Sequence, residues 1–274
     1  MDTKIILVYC LCDDYLKSIN HREDRQVRLS DAEVMTIALV AALEFGGNFA
    51  QSLRFLSSHG YLSYRISRSR YSRRLHRIRD HFLVLFLHLG EVWKALDEEG
   101  VYLLDTFPIA VCDNIRISRC RIYQDEAFRG YQASKKRFFY GLKIHLMVTR
   151  DGAPVEFFLT PGSTGDVTGL EHFDFDLPFD SLIIGDKAYN NYEIEDLLAQ
   201  VGLDLEPVRK KNSTRPAEPA LRFLQSFYRK AVETAGSMIE RLLPKSIHAT
   251  SQAGFELKVV LFVLASSINH IPLP

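Results

Sequence analysis

The sequence has few cysteines and no long hydrophobic run, which excludes several classes of protein. Its four cysteines form no C-x-x-C pair, and no matching pair of histidines completes a zinc pattern. We therefore expect free thiols in a reducing cytoplasm. The apolar run over residues 5–12 is far too short to span a membrane and lacks the basic leader and cleavage site of a signal peptide. The sequence thus predicts a cytoplasmic protein with no membrane partner.

Two enzyme motifs are absent as well. No glycine-rich phosphate loop and no G-x-S-x-G motif occur, so Ser-His-Asp catalysis has no support in the sequence.

With 274 residues, the chain is long enough for one large domain or two modest ones with a substantial core.

Charge is balanced over the whole chain but segregated along it. The 34 basic and 34 acidic residues cancel. Residues 54–79 nevertheless contain eight arginines and no acidic residue, whereas residues 166–206 contain eleven carboxylates and one basic residue, Lys187. This segregation predicts one surface that binds a polyanion and one region where anionic side chains are concentrated.

The densest basic stretch, RISRSRYSRRLHRIR over residues 65–79, is typical of nucleic-acid binding. Its arginines match the geometry of phosphate, and the interleaved serine and tyrosine hydroxyls add neutral phosphate contacts. The alternative is a solvated helix face paired with acidic neighbours, but residues 54–79 contain no acidic residue. With the two preceding helices, the stretch is predicted to form a helix-turn-helix-like DNA reader. The candidate contacts are Arg65, Arg68, Arg70, Arg73, Arg74 and Arg77.

A second basic segment, residues 116–143, connects the first two predicted strands of a sheet and is a candidate for contact with a DNA backbone. Its candidate contacts are Lys135, Lys136 and Arg137. Lys187 is a further candidate, although a role as counter-charge to neighbouring carboxylates is equally open. His145, on the second of these strands, is expected in the core or behind the site rather than as a ligand.

Residues 1–97 are predicted to be helical. Ser30 and Glu33 have the spacing of a capping box and begin a helix that a pair of glycines ends. A shorter helix follows. A third begins near Ser69, with a candidate break at Gly90.

Residues 98–274 are predicted to form a mixed sheet flanked by helices. A first strand begins near residue 101 and is interrupted by Pro108, and the next two strands form a hairpin around Gly152. A short helix capped by Asp166 then precedes a buried strand, a helix, a short strand and two last helices. These later elements cover about 138–149, 153–160, 181–184, 191–201, 203–208, 219–243 and 250–270.

Asp105 and Asp186 are unusual because Asp105 lies inside one apolar strand and Asp186 lies at the end of another. Carboxylates at the ends of neighbouring strands repel each other unless a cation lies between them. Mg²⁺ fits such a site, because it takes oxygen ligands and often uses only one or two carboxylates. The alternative role for either aspartate alone is a helix cap or a half-exposed ion-pair partner.

A third acidic ligand would complete a two-metal site for phosphoryl transfer. Glu233, on a late helix, is the preferred candidate because Ala235 and Gly236 leave space beside it. It shares a helix face with Arg229, so a surface ion pair is its alternative role. Two strand aspartates and a helix glutamate in this order favour the metal site.

Six sequence blocks carry a resemblance to a known family. In chain order they are LLDTFPIAVCDNIRISR, FFYGLKIHLMVTRDG, LTPGSTGDV, IIGDKAYNN, RKAVET and SQAGFELKVVLFVLA. Together they resemble the nine-eighty-two family of bacterial insertion-sequence DDE transposases, from about residue 25 to the end. The resemblance implies a ribonuclease-H-like catalytic domain over 98–274, preceded by a helical DNA-binding domain over 1–97.

Carried over residue by residue, the resemblance implies that Asp105, Asp186 and Glu233 hold two Mg²⁺ ions, for which Mn²⁺ can substitute. It implies a transposase that cleaves phosphodiesters at transposon ends and transfers the 3′-hydroxyl strand into target DNA. The implied partners are the terminal inverted repeats, target DNA and a second copy of the chain bound on DNA. Two alternatives stay open: a metal-dependent nuclease of the same fold without strand transfer, and a catalytically inactive transposase derivative that binds DNA.

Two positions depart from the broader class of insertion-sequence transposases, and both concern DNA contacts. Lysine often follows the helix glutamate by seven residues, where this chain has Glu240. Tyrosine often precedes the arginine by three residues, where this chain has Ser226. Arg229 itself matches and is the implied DNA contact beside Glu233.

Overall fold

Two compact units make up the structure, a computed structural model that describes residues 1–132, 135–209, 213–216, 219, 221–225, 227, 247 and 249–272. One unit, the helical unit, comprises Met1–His88 and Ile239–Pro274, and the other, the sheet unit, comprises Leu89–Met238. The sequence-based division instead placed the whole of residues 98–274 in one domain. The two divisions differ because the last helix, Gln252–Asn269, packs within the first unit against the helix Asp31–Glu44.

Helices are numbered in chain order. They are α1 (Asp2–Ser18), α2 (Asp31–Glu44), α3 (Phe49–Ser58), α4 (Arg68–Arg77), α5 (Asp80–Leu96), α6 (Asp166–Leu170), α7 (Tyr192–Gln200) and α8 (Gln252–Asn269). Helices α1 to α4, the first part of α5 and α8 belong to the first unit, whereas the rest of α5, α6 and α7 belong to the second. The helical N-terminal region expected from the sequence is confirmed.

Helix α2 is the centre of the first unit. Ser30 and Glu33 form the predicted capping box: the Glu33 N–H donates to Ser30 Oγ at 3.1 Å, and the Ser30 N–H donates to the Glu33 carboxylate at 2.7 Å. Twelve of the 14 residues of α2 are buried, because α1, α3, α4 and α8 pack around it. A helix enclosed in this way has to be apolar on all sides.

No single helix in the described part of the chain is long and apolar enough to cross a membrane. Helices α2 and α3 together have the length and composition of such a segment, but the chain bends by 112° between them. Both lie within the helical unit, where α2 is buried by its neighbours.

The predicted third helix is in fact two helices. Its break lies at Ile78, which ends α4, and the predicted break at Gly90 is wrong. Gly90 lies inside α5, where an added Cβ would be 2.6 Å from the carbonyl oxygen of Val155. The glycine therefore permits a close approach of helix and strand and does not end the helix.

The second unit contains one six-stranded sheet. Its strands are β1 (Val101–Asp113), β2 (Arg129–Gln132), β3 (Arg137–Thr149), β4 (Pro154–Pro161), β5 (Ser181–Gly185) and β6 (Leu203–Pro207). The spatial order is β2-β3-β1-β5-β6, with β4 also paired to β3. Strands β1, β5 and β6 are parallel, and β3 is antiparallel to β1, β2 and β4. The predicted ribonuclease-H-like mixed sheet is confirmed, whereas β2 was not predicted.

Pro108 does not interrupt β1, contrary to the sequence-based expectation. The strand continues through Pro108, which is paired with Lys143 of β3. On its other side, β1 pairs with β5 only from Val101 to Leu103. Proline is tolerated where one edge of a strand has no partner, because no ladder hydrogen bond is lost there.

Candidate active site

Asp105 and Asp186 lie at corresponding positions of two adjacent parallel strands. The register of β1 and β5 pairs Leu103 with Ile184, and each aspartate follows this pair by two residues. Since neighbouring strands in a sheet are about 4.8 Å apart, a continuation of this register past its last pair would bring the two acidic residues near each other. Asp186 directly follows the carboxyl end of β5, the edge at which open α/β sheets bind their ligands.

The two aspartate carboxylates accept the same kind of hydrogen bond. The Thr106 N–H donates to Asp105 Oδ1 at 2.8 Å, and the Lys187 N–H donates to Asp186 Oδ1 at 2.6 Å. Asp186 thereby caps the short 3₁₀ helix Lys187–Tyr189. Asp105 is half-buried and Asp186 is exposed. Each carboxylate is thus oriented by the backbone of the residue that follows it.

A chain of polar side chains lies behind the aspartates. The Tyr189 and Thr106 hydroxyls are hydrogen-bonded, and Thr106 Oγ1 lies 3.1 Å from His145 Nδ1. His145 Nε2 lies 2.9 Å from Thr160 Oγ1. Tyr189 is three residues after Asp186, and Thr106 follows Asp105, so the hydroxyl contact joins the two acidic segments.

His145 is a core residue, as expected, and its ring is closely packed. One face stacks on Phe158, with ring centroids 4.7 Å apart and planes within 9° of each other. Gly169 lies against the imidazole so closely that an added Cβ would overlap it. The ring is fully buried, and burial lowers its pKa to about 4. His145 is therefore a neutral support for Thr106 at neutral pH.

The pKa of Tyr189 reports the carboxylates around it. Burial raises this pKa, and the charges of Asp105, Asp166 and Asp186 raise it further. The phenol therefore lies near Asp105, Asp166 and Asp186, of which Asp166 is paired with Lys143.

Asp166 belongs to this region and is not the cap that the sequence predicted. Gly165 occupies the N-cap position of α6, and Asp166 is the first residue of the helix. Its Oδ1 lies 3.1 Å from Lys143 Nζ, which also donates to the Thr164 carbonyl oxygen at 2.7 Å. The expectation failed because α6 already begins at Asp166, whose carboxylate is instead paired with a lysine 23 residues away in sequence.

The third predicted ligand, Glu233, lies outside the described residues, as do Arg229 and Glu240. The structure therefore brings together two of the three predicted ligands, Asp105 and Asp186. Sequence reasoning missed Thr106 and Tyr189. Tyr189 stands in the IIGDKAYNN block, but its partner is more than 80 residues upstream and no local pattern connects them.

The predicted DNA-binding residues occupy both units. Arg65, Arg68, Arg70, Arg73 and Arg77 are exposed in the first unit, and Lys135, Lys136, Arg137 and Lys187 are exposed in the second. Arg137 Nη1 lies 3.0 Å from Asp113 Oδ1, and both side chains are half-exposed.

Arg74 has a different environment from the other arginines. Its guanidinium forms an ion pair with Asp31 and donates to the carbonyl oxygen of Leu29. Residues 54–79 contain no acidic residue, but the fold supplies a partner for Arg74 from 43 residues upstream. We therefore do not include Arg74 among the proposed DNA contacts.

Comparisons with known proteins agree with this architecture. No curated protein sequence matches the chain. A cryo-EM structure of a piggyBac transposase synaptic complex with hairpin DNA has a similar fold, with a TM-score of 0.50 and 12% sequence identity over 96% of this chain and 73% of that one. The family model described as "Transposase DDE domain" matches residues 95–242, a range that includes positions 105, 186 and 233. Because this match covers more than half of the 274 residues, the chain belongs to the family of transposases with a DDE domain.

Proposed function

We propose that this DNA transposase cleaves phosphodiesters at transposon ends and joins the freed 3′-hydroxyl strand to target DNA. We further propose that it acts in the bacterial cytoplasm and is a member of the nine-eighty-two family of insertion sequences. The observation that carries the proposal is the register of β1 and β5, whose continuation by two residues would align Asp105 with Asp186. Two aligned carboxylates on adjacent strands, within a DDE domain, are suited to in-line displacement at phosphorus.

The donor atoms of this site fit divalent magnesium. Asp105 and Asp186 offer carboxylate oxygens, the ligands that Mg²⁺ prefers, and backbone N–H groups orient both. Glu233 would be the third protein ligand of a site for two ions, which Mn²⁺ could also occupy. When bound, the ions would activate the attacking oxygen and stabilise the leaving 3′ oxygen.

The residues behind the carboxylates would hold them in place. Tyr189 and Thr106 tie the two acidic segments together, and neutral His145 supports Thr106. The Asp166 carboxylate is balanced by Lys143, so this pair adds little net charge to the site. Together these contacts limit the movement of the ligands, which a positioned active site requires.

DNA would contact basic residues of both units. Lys135, Lys136, Arg137 and Lys187 are exposed in the sheet unit, where Lys187 directly follows Asp186. Arg229 is an additional proposed contact on the basis of sequence. The similar piggyBac structure is a synaptic complex with hairpin DNA, and we propose that two copies of this chain likewise pair two terminal inverted repeats.

Cleavage of end-bearing DNA tests the metal ligands. Asp105→Asn, Asp186→Asn and Glu233→Gln should each slow Mg²⁺-dependent cleavage by roughly a thousandfold or more, because charge stabilisation by metal contributes several kcal/mol. Asp204→Asn, at an exposed position of β6, is the matched control and should cleave normally. Unchanged cleavage by Asp186→Asn would contradict the proposal. Joined products from a pre-cut end would distinguish a transposase from a nuclease of the same fold.

A further inference from the structure

A groove of about 570 Å³ lies on the helical unit between α4 and the loop before α2. We call it the basic groove, because its charged lining residues are Arg28, Arg70, Arg73, Arg74 and Arg77. None of the described residues that line it is acidic. It concentrates positive charge from two segments that are far apart in sequence.

One wall of the basic groove is a face of α4. Arg70, Arg73 and Arg77 recur at helical spacing and are exposed, while Tyr71 and Leu75 are buried and anchor the helix. For none of the three arginines does the described part of the chain provide a carboxylate within ion-pair distance. Their charges are therefore not balanced by these neighbours.

The other wall carries Arg28, which sequence reasoning did not select. Its guanidinium lies 5.3 Å from the centroid of the Tyr64 ring, a cation–π contact that restricts the side chain. Arg74 of α4 connects the two walls, because its guanidinium donates to the carbonyl oxygen of Leu29. The same guanidinium forms an ion pair with Asp31. The basic groove is therefore pre-formed.

We propose that the basic groove holds the sugar-phosphate backbone of duplex DNA, an inference that rests on the proposed transposase function. From Arg70 to Arg77 the helix spans about 10 Å, close to the axial length of three phosphates of one strand. Arginine binds phosphate with two parallel hydrogen bonds. Phosphate contacts carry no sequence information, so we assign the basic groove to positioning DNA, in contrast to the sequence-reading role that the helix-turn-helix-like prediction implied.

Binding measured without metal tests this proposal. Fluorescence anisotropy of a labelled duplex, with the full-length protein in EDTA across a range of KCl concentrations, gives affinity and its salt dependence. Arg28→Gln and Arg73→Gln should each weaken binding about tenfold and reduce the slope of log affinity against log salt by about 1. Arg25→Gln is the matched control, because Arg25 is exposed in the same loop but does not line the groove.

Substitutions at Tyr64 test the pre-formed wall. Tyr64→Phe keeps the ring beneath Arg28 and should bind like the parent, whereas Tyr64→Ala should lose part of the affinity. Equal effects of Arg28→Gln and Arg25→Gln would overturn the proposal, as would tighter binding of a single strand with the same dependence on Arg28. Cleavage is not needed in this experiment, so a failed metal-ligand assignment leaves its outcome unaffected.

Discussion

The hydroxyl of Tyr189 is hydrogen-bonded to the hydroxyl of Thr106, and this contact joins the segments that carry Asp186 and Asp105. Tyr189 is 1% exposed, and its ring packs in the core formed by residues of the sheet, α6 and α7. The rigid Tyr189 ring thus fixes the distance between β1, which carries Thr106, and the 3₁₀ turn that follows β5. The spacing of the two carboxylates depends on packing as well as on strand register.

Tyr189→Phe should impair Mg²⁺-dependent cleavage more than it lowers the stability of the fold. Loss of one buried hydrogen bond costs about 1 kcal/mol of stability, and looser carboxylates should raise the Mg²⁺ concentration needed for half-maximal cleavage several-fold. The measurement is the Mg²⁺ dependence of the cleavage rate, with thermal unfolding in parallel. Tyr140→Phe is the control, because its hydroxyl donates to Glu126 away from the aspartates. Equal shifts in Mg²⁺ dependence for both variants would contradict a positioning role.

Mg²⁺ should stabilise the folded protein through the same site. A ligand at about 100 times its dissociation constant adds about 2.7 kcal/mol when it binds only the native state. The melting temperature of the parent should rise with Mg²⁺, whereas that of Asp186→Asn should rise much less. Without metal, Asp186→Asn should melt above the parent, because it removes repulsion between carboxylates. An equal Mg²⁺ effect in both proteins would mean that the ion binds elsewhere.

Burial of neutral His145 should make stability fall in mild acid. Its pKa is lowered from 6.5 to about 4 in the fold, so the unfolded chain binds a proton that the native state does not bind in this range. The free energy of unfolding is therefore unaffected by His145 protonation above pH 6.5. It falls by up to about 3 kcal/mol as the pH decreases from 6.5 towards 4. Urea unfolding at several pH values should show a shallower decline for His145→Gln than for the parent. His76→Gln, at an exposed position, should follow the parent, and a parent-like decline in His145→Gln would count against this explanation.

Asp31→Ala should destabilise the helical unit by about 2 kcal/mol, because it leaves the largely buried Arg74 without its counter-charge. Asp31 also contacts His21 Nε2 at 2.9 Å, so a second partner is lost. Asp13→Ala removes the pair with Lys17, which is 71% exposed at its side chain, and should have little effect. Urea unfolding followed by circular dichroism measures both. Similar losses in the two variants would show that the Arg74 pair is not structural.

Local signals in the sequence predicted elements well where the determining residues are close together. The capping box of Ser30 and Glu33 and the hairpin around Gly152 involve neighbours within a few positions, and both features formed as expected. The strands that carry Asp105 and Asp186 were recognised from their apolar runs. Long-range contacts decided the remaining cases. Arg74 acquires its partner from α2, and Pro108 is tolerated because β5 ends early beside β1.

The return of α8 to the helical unit affects how this protein can fold during synthesis. Helix α2 needs α8 to cover part of its surface, yet the ribosome makes α8 roughly 200 residues later, which takes roughly 10–40 s at typical elongation rates. Through that interval, the central helix of the first unit has an uncovered side. The sheet unit is translated in between, so it is able to acquire its structure first. The nascent chain is therefore expected to need protection from aggregation until its last helix emerges.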